Sequence, residues 1–135
     1  MKTLKRSISV LVCLILFTSC TKSIDYSKEK SNIEVREEIT YYKDKPFTGE
    51  IFENYENGQL KGKVNFIDGK REDGLYEYYY ENGQLKGKGN FIDGKPDGLV
   101  EQYYKNGQLR LKHNWKDGKP DGLYESYDKD GKRID

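Results

Sequence analysis

The sequence is short of the residues that carry chemistry. Its 135 residues include one His, one Trp, one Met and two Cys. One His and one Cys beyond the apolar leader cannot furnish the four ligands of a zinc site. His113 falls at the repeat position held by Val64 and Gly89, so it reads as a packed strand residue. After Cys20 the only serines are Ser23, Ser27, Ser31 and Ser126, and none has a base at plausible reach. A Ser-His-Asp arrangement is thereby excluded. These absences point to a non-enzymatic protein with no cofactor and no metal.

Charge of one sign is also missing. Formal net charge is +1, and Lys2, Lys5 and Arg6 precede Cys20 without any acid. The remainder holds 21 basic and 23 acidic residues, a net of −2. A phosphate-backbone binder needs a basic surplus, so no nucleic-acid partner is expected. Leu, Ile, Val and Phe supply only 21 of the 115 residues after Cys20. That is too few for a thick two-layer core, and near-zero net charge argues against disorder.

What is abundant is Tyr, Gly and self-similarity. Residues 74–97 return almost intact from Gly98, and Gly74, Gly98 and Gly122 are spaced 24 apart. An earlier copy starts at Gly49 and has one extra residue, because Arg71-Glu72-Asp73 replaces Pro96-Asp97. A partial copy runs from Gly122. A fixed short period means an array of small supersecondary units. Each unit carries a Tyr-rich run, an Asn-Gly pair and a second short run, which reads as a β-hairpin. The turn residues are Asn57-Gly58, Asn82-Gly83 and Asn106-Gly107. The fold class is all-β, with tandem hairpins of about 24 residues in a single-layer antiparallel sheet or thin solenoid.

A two-residue type I′ turn at Asn82-Gly83 sets a register. Tyr80 would face Leu85, Tyr78 would face Gly87, and Tyr76 would face Gly89, with tyrosine rings lying over strand glycines. The opposite face would pair Glu77 with Lys88, Tyr79 with Lys86 and Glu101 with Lys112, whereas Phe52 faces Lys63 in the first unit. Pro96, unable to donate to a ladder, would force a loop before Gly98. The Tyr face, with Tyr76, Tyr78, Tyr80 and Tyr104, is the candidate binding face, since Tyr is rigid and amphipathic. Asp93/Asp97 and Asp117/Asp121 are explained by turn chemistry without calcium.

Residues 1–20 read as a secretion signal, with a basic start, the short apolar run Ile8 to Phe17, and small residues before Cys20. The run is shorter than the ~20 apolar residues that span a bilayer. It resembles a lipoprotein signal, which implies acylation of Cys20 and a membrane anchor. Thr21 in place of Asp favours the outer membrane over the inner. Cys13 leaves with the signal, so no intrachain disulfide forms. Residues 21–32 read as a flexible tether. Residues 33–135 form the repeat domain, with 33–43 the last strand of a degenerate leading unit covering the first hairpin's edge. The charged ending Lys132 to Asp135 suits an edge strand.

The motifs Gly-Leu-Tyr-Glu-x-Tyr, Tyr-x-Asn-Gly-Gln-Leu and Asp-Gly-Lys-Pro-Asp-Gly-Leu, over about residues 33–135, resemble the MORN-repeat variant family in its YwqK-type antitoxin branch. The resemblance implies a binding role toward a protein partner, with a toxin as one form. An envelope immunity-type lipoprotein would reconcile that role with export. A cytoplasmic antitoxin is an alternative. Another is a cell-wall or glycan module of the choline-binding type, although those carry a Gly-Trp pair per unit and Trp115 is alone here. A third is lipid-headgroup binding, which near-neutral charge does little to help.

Overall fold

The computed structural model describes residues 22–135. The signal region and Cys20 lie outside the described residues. Among the described residues twelve strands form two sheets. The main sheet runs in the order β1 (Ser23–Asp25), β5 (Gly49–Asn54), β6 (Leu60–Ile67), β8 (Gly74–Tyr79), β9 (Leu85–Ile92), β10 (Lys95–Tyr103), β11 (Leu109–Lys116) and β12 (Lys119–Ser126). The short β7 (Lys70–Arg71) pairs with β6. A small sheet holds β2 (Ile33–Arg36), β3 (Ile39–Tyr42) and β4 (Lys45–Pro46). From β5 onward the main sheet is an open antiparallel meander of hairpins, as the periodicity implies.

Two kinds of turn alternate. Asp68-Gly69, Asp93-Gly94 and Asp117-Gly118 have both residues at positive φ, the signature of two-residue type I′ turns. The Asn-Gly turns differ from the expected type I′. Only Gly83 has positive φ, its N–H donates to Tyr80 O (2.9 Å), and Tyr80 N–H donates to Gln84 O (2.8 Å). This is a type I turn followed by a glycine bulge. The register therefore slips by one at Lys86, so Tyr79 rather than Tyr80 faces Leu85. Tyr76↔Gly89, Tyr78↔Gly87, Glu77↔Lys88 and Glu101↔Lys112 pair as expected. The reason for the slip is Asn82. Its Oδ1 accepts from Gln84 N–H (3.1 Å) while its Nδ2 donates to Lys105 O in the next unit (3.1 Å).

No loop forms at Pro96. It lies in β10 opposite Phe91, and its carbonyl accepts Gly118 N–H at 2.9 Å. The register shift between Pro96 and Val100, with Gly98 at φ 99°, absorbs the surplus residues. Proline is tolerated in a sheet at such bulges.

The N-terminal expectations need two corrections. Residues 23–32 are ordered chain, not a tether. Ser23–Asp25 pairs in parallel with β5, and a single helical turn (α1, Tyr26–Glu29) follows, capped by Asp25. It is therefore β1 that covers the edge of β5. Residues 33–42 instead form their own hairpin, β2 with β3, in the small sheet. The cause is a compact core at this end. Ile24, Phe47 and Phe66 are buried, with Ile33, Tyr42, Ile51 and Val64 packed against them. Ile24 is apolar enough to hold its strand in place. Beyond Gly74 the sheet is a single layer.

The extra residue at 71–73 leaves a seam. β6 pairs with β8 only at Gly62↔Tyr78, whereas β9 and β10 pair at Val100↔Gly89, Glu101↔Lys88 and Gln102↔Gly87. The surplus residue widens the bulge, and two ladder positions are lost. Replacing Arg71-Glu72-Asp73 by Pro-Asp should restore them. At about 0.5–1.5 kcal/mol per hydrogen bond, we expect roughly 1–2 kcal/mol of added stability by urea denaturation. Slower exchange of the amides of residues 74–77 would accompany it, and unchanged exchange would refute the seam.

Candidate functional site

The two faces of the array have different jobs. The inner face carries Tyr76, Phe91, Val100, His113, Trp115 and Tyr124. Tyr76 packs edge-on to Phe91 (5.2 Å between centroids), and His113 sits between Trp115 (5.0 Å) and Tyr124 (5.3 Å). His113 is thus a packed strand residue, as its repeat position implied.

The outer face is a grid, because every second residue of a strand points the same way. From Gly74 onward each unit presents Leu-x-Glu-x-Tyr: Leu75-Glu77-Tyr79, Leu99-Glu101-Tyr103 and Leu123-Glu125-Tyr127, whereas the first unit has Glu50, Phe52 and Asn54 there. Asn90 faces Leu75 and Asn114 faces Leu99 on the intervening strands. The middle row alternates in sign, Glu77, Lys88, Glu101, Lys112, Glu125, through successive pairings. Each lysine reaches forward rather than back. Lys88 Nζ is 2.9 Å from Glu101 and Lys112 Nζ is 3.9 Å from Glu125. Burial raises the Glu101 carboxyl pKa, but the hydrogen bond and charge of Lys88 outweigh it and leave the group below its ordinary range. The tyrosine hydroxyls donate to the glutamates of their own units, at 2.8 Å (Tyr79), 3.2 Å (Tyr103) and 2.9 Å (Tyr127).

A second tyrosine column rivets unit to unit. Tyr55 Oη donates to Tyr79 O (2.9 Å), Tyr80 Oη to Tyr103 O (2.8 Å) and Tyr104 Oη to Tyr127 O (2.8 Å). Asn57, Asn82 and Asn106 run in parallel, donating to the carbonyls of Glu81, Lys105 and Lys129. At the last turn Asp128 and Asp130 stand in place of Tyr and Asn. A carboxylate cannot donate. Asp128 instead accepts from the amides of Asp130 and Lys132, and the donor ladder stops there. Tyr80→Phe should cost about 1 kcal/mol in urea denaturation through loss of one such bond. An unchanged midpoint would show that the rivet contributes nothing.

The four tyrosines of the candidate face are therefore divided. Tyr76 is buried at 7 %, with its hydroxyl donating to Glu72 O. Tyr80 and Tyr104 are the rivets. Tyr78 is 42 % exposed, its ring lying over Gly62, where an added Cβ would be 2.8 Å from Cδ1. Asn57, Gly58, Asn82, Gly83, Asn106 and Gly107 occupy turns, and the asparagines also bridge units. The feature that sequence reasoning missed is the leucine column. Leu75, Leu99 and Leu123 are 63, 38 and 41 % exposed. Their signal is present in the Gly-Leu-x-Glu-x-Tyr alternation, which carries the family resemblance.

Among the described residues no group of three or more His, Cys, Asp or Glu is placed to hold a metal ion. Asp97 accepts instead from Lys116 Nζ (2.8 Å) and Asp117 N–H (3.3 Å), and Asp73 accepts from Asp93 N–H (2.8 Å). No helix among those residues is long and apolar enough to cross a membrane.

The family model described as MORN repeat variant matches residues 47–68, 72–93 and 96–117. No curated protein and no solved structure matches the chain. Each matched segment spans one hairpin and its flanking turn, so the chain carries three MORN variant repeats in tandem.

Proposed function

We propose that the protein is a non-enzymatic envelope lipoprotein, anchored through Cys20, that binds a protein partner across the outer face of its repeats. The observation that carries the binding role is the leucine column. One apolar residue recurs in three successive units and stays exposed, beside a self-neutralising charge row that separates it from the tyrosine column. The leucines stand two strands apart with Asn90 and Asn114 between them, so the face offers regularly spaced apolar anchors, which repeat arrays present in extended form. The alternating Glu/Lys row gives little net field, which favours shape and apolar contact over attraction to a polyanion. In its specific form the partner is a toxin met in the envelope, with this chain as the immunity-type protein.

Changing Leu75, Leu99 and Leu123 to Asp together should leave the protein folded, as thermal melts would verify, at a cost of about 1 kcal/mol each for Asp in a strand. It should lower retention of the partner at least tenfold. Full retention would contradict the assignment. The anchor has its own test. Radiolabelled palmitate should enter the wild type and segregate with membranes, and Cys20→Ala should lose both. A soluble, unlabelled wild type would move the partner search to the cytoplasm.

A further inference from the structure

The small sheet and the first repeat enclose a cleft of about 310 Å³. Its apolar lining includes Ile51 and Val64, Ile33 and Val35 of β2, and the rings of Tyr26 and Tyr78. Val35 is 69 % exposed and Tyr26 and Tyr78 are each 42 % exposed, so apolar surface around this opening is left uncovered by the fold. The volume falls at the lower end of the ~300–1,000 Å³ typical of small-molecule sites, and such sites are mostly apolar with few polar groups.

The rim supplies one such group. Of the cations lining the cleft, Lys61 is held by Glu53 at 2.9 Å and Lys63 by Glu50 at 2.8 Å. Arg71 makes no ion pair among the described residues. It stands where the later units carry Pro96 and Pro120, so the repeat itself does not call for it. An apolar cleft with one uncompensated guanidinium is complementary to a ligand with one anionic end and an apolar body. Guanidinium meets a carboxylate through two parallel hydrogen bonds in a geometry that lysine lacks.

We propose that this cleft binds a single-chain anionic amphiphile, an alkyl chain ending in a carboxylate, with the chain on Ile51 and Val64 and the head on Arg71. The site lies apart from the leucine column, so it stands or falls independently of the protein partner.

The test is calorimetric titration of the full chain carrying Cys20→Ser, purified without detergent, with decanoate as the probe. Saturable one-to-one binding is expected. Arg71→Gln and Val35→Glu should each weaken it at least tenfold, and Tyr124→Glu, at the far end of the array, should not. Decyltrimethylammonium, of equal length and opposite charge, should bind at least tenfold more weakly than decanoate. Both Arg71 and Val35 are exposed, and thermal melts of the variants establish that each remains folded. If Val35→Glu fails to fold, Arg71→Gln and the cationic probe decide. Absent saturation, equal affinity for the two probes, or full affinity in Arg71→Gln would overturn the proposal.

Discussion

Phe47→Ala is expected to be among the most damaging single changes, at about 3–5 kcal/mol. Phe47 is 3 % exposed and is flanked edge-on by Tyr42 (6.0 Å) and Phe66 (6.1 Å). Its backbone ties the two sheets together as well. Its N–H donates to Thr40 O and its carbonyl accepts Gly69 N–H (3.0 and 2.7 Å). Truncation leaves a cavity that the sheets cannot collapse around without losing those bonds. Domains of this size have only ~5–15 kcal/mol of stability, so a fifth or more would go. The expected fall in melting temperature is over 10 °C, at roughly 4–8 °C per kcal/mol. Phe91→Ala should cost visibly less, because Phe91 has Tyr76 on one side and no second layer. Equal losses at the two positions would mean that the core is not concentrated at the N-terminal end.

The second large effect separates two glycines that the sequence makes equivalent. Gly69 and Gly94 both occupy the second position of an Asp-Gly turn, at φ 79° and 71°. Around Gly94 an added Cβ meets nothing within 4 Å. Gly94→Ala should therefore cost only the left-handed backbone term, about 1–2 kcal/mol. At Gly69 the same Cβ would lie 2.4 Å from Ile39 Cγ2 and 2.7 Å from Thr40 O. Gly69 also accepts Thr40 N–H at 2.8 Å, a bond that the clash would strain. Overpacking adds about 1–3 kcal/mol, so Gly69→Ala should cost about 2–5 kcal/mol. Urea denaturation of both variants side by side gives the difference. If the two alanines cost the same, the small sheet does not dock on this turn.

Much of this architecture was legible because its signals are local. The 24-residue period, the paired Tyr-rich and Gly-containing runs and the Asp-Gly turns all act within one hairpin. They gave the register of Tyr76, Tyr78, Glu77 and Glu101 correctly. What escaped depends on neighbours. Asn-Gly serves either turn type, and the choice is made by Asn82 reaching Lys105 in the following unit. Within its hairpin Lys88 faces Glu77, but Glu101 in the next strand lies equally opposite and takes the ammonium. Ile24 is a lone apolar residue in a polar stretch. Its burial is decided by Phe47 and Phe66, more than twenty residues away. The tyrosines of the candidate face divide for the same reason. Tyr80 and Tyr104 have rings that suit a partner, yet their hydroxyls are engaged by the adjacent unit. The leucines, which suit a core, face outward because the second layer found among the described residues covers the other side of the first unit.

The central claim is that a protein partner lies along the outer face. Site-specific photo-crosslinking in intact cells tests it most directly, with a benzophenone side chain placed singly at Leu75, Leu99, Leu123, Tyr78 and Tyr124. The account predicts one common adduct from the three leucine positions and none from the two inner-face tyrosines. Adducts from the inner face alone, or the same adducts from all five positions, would contradict it.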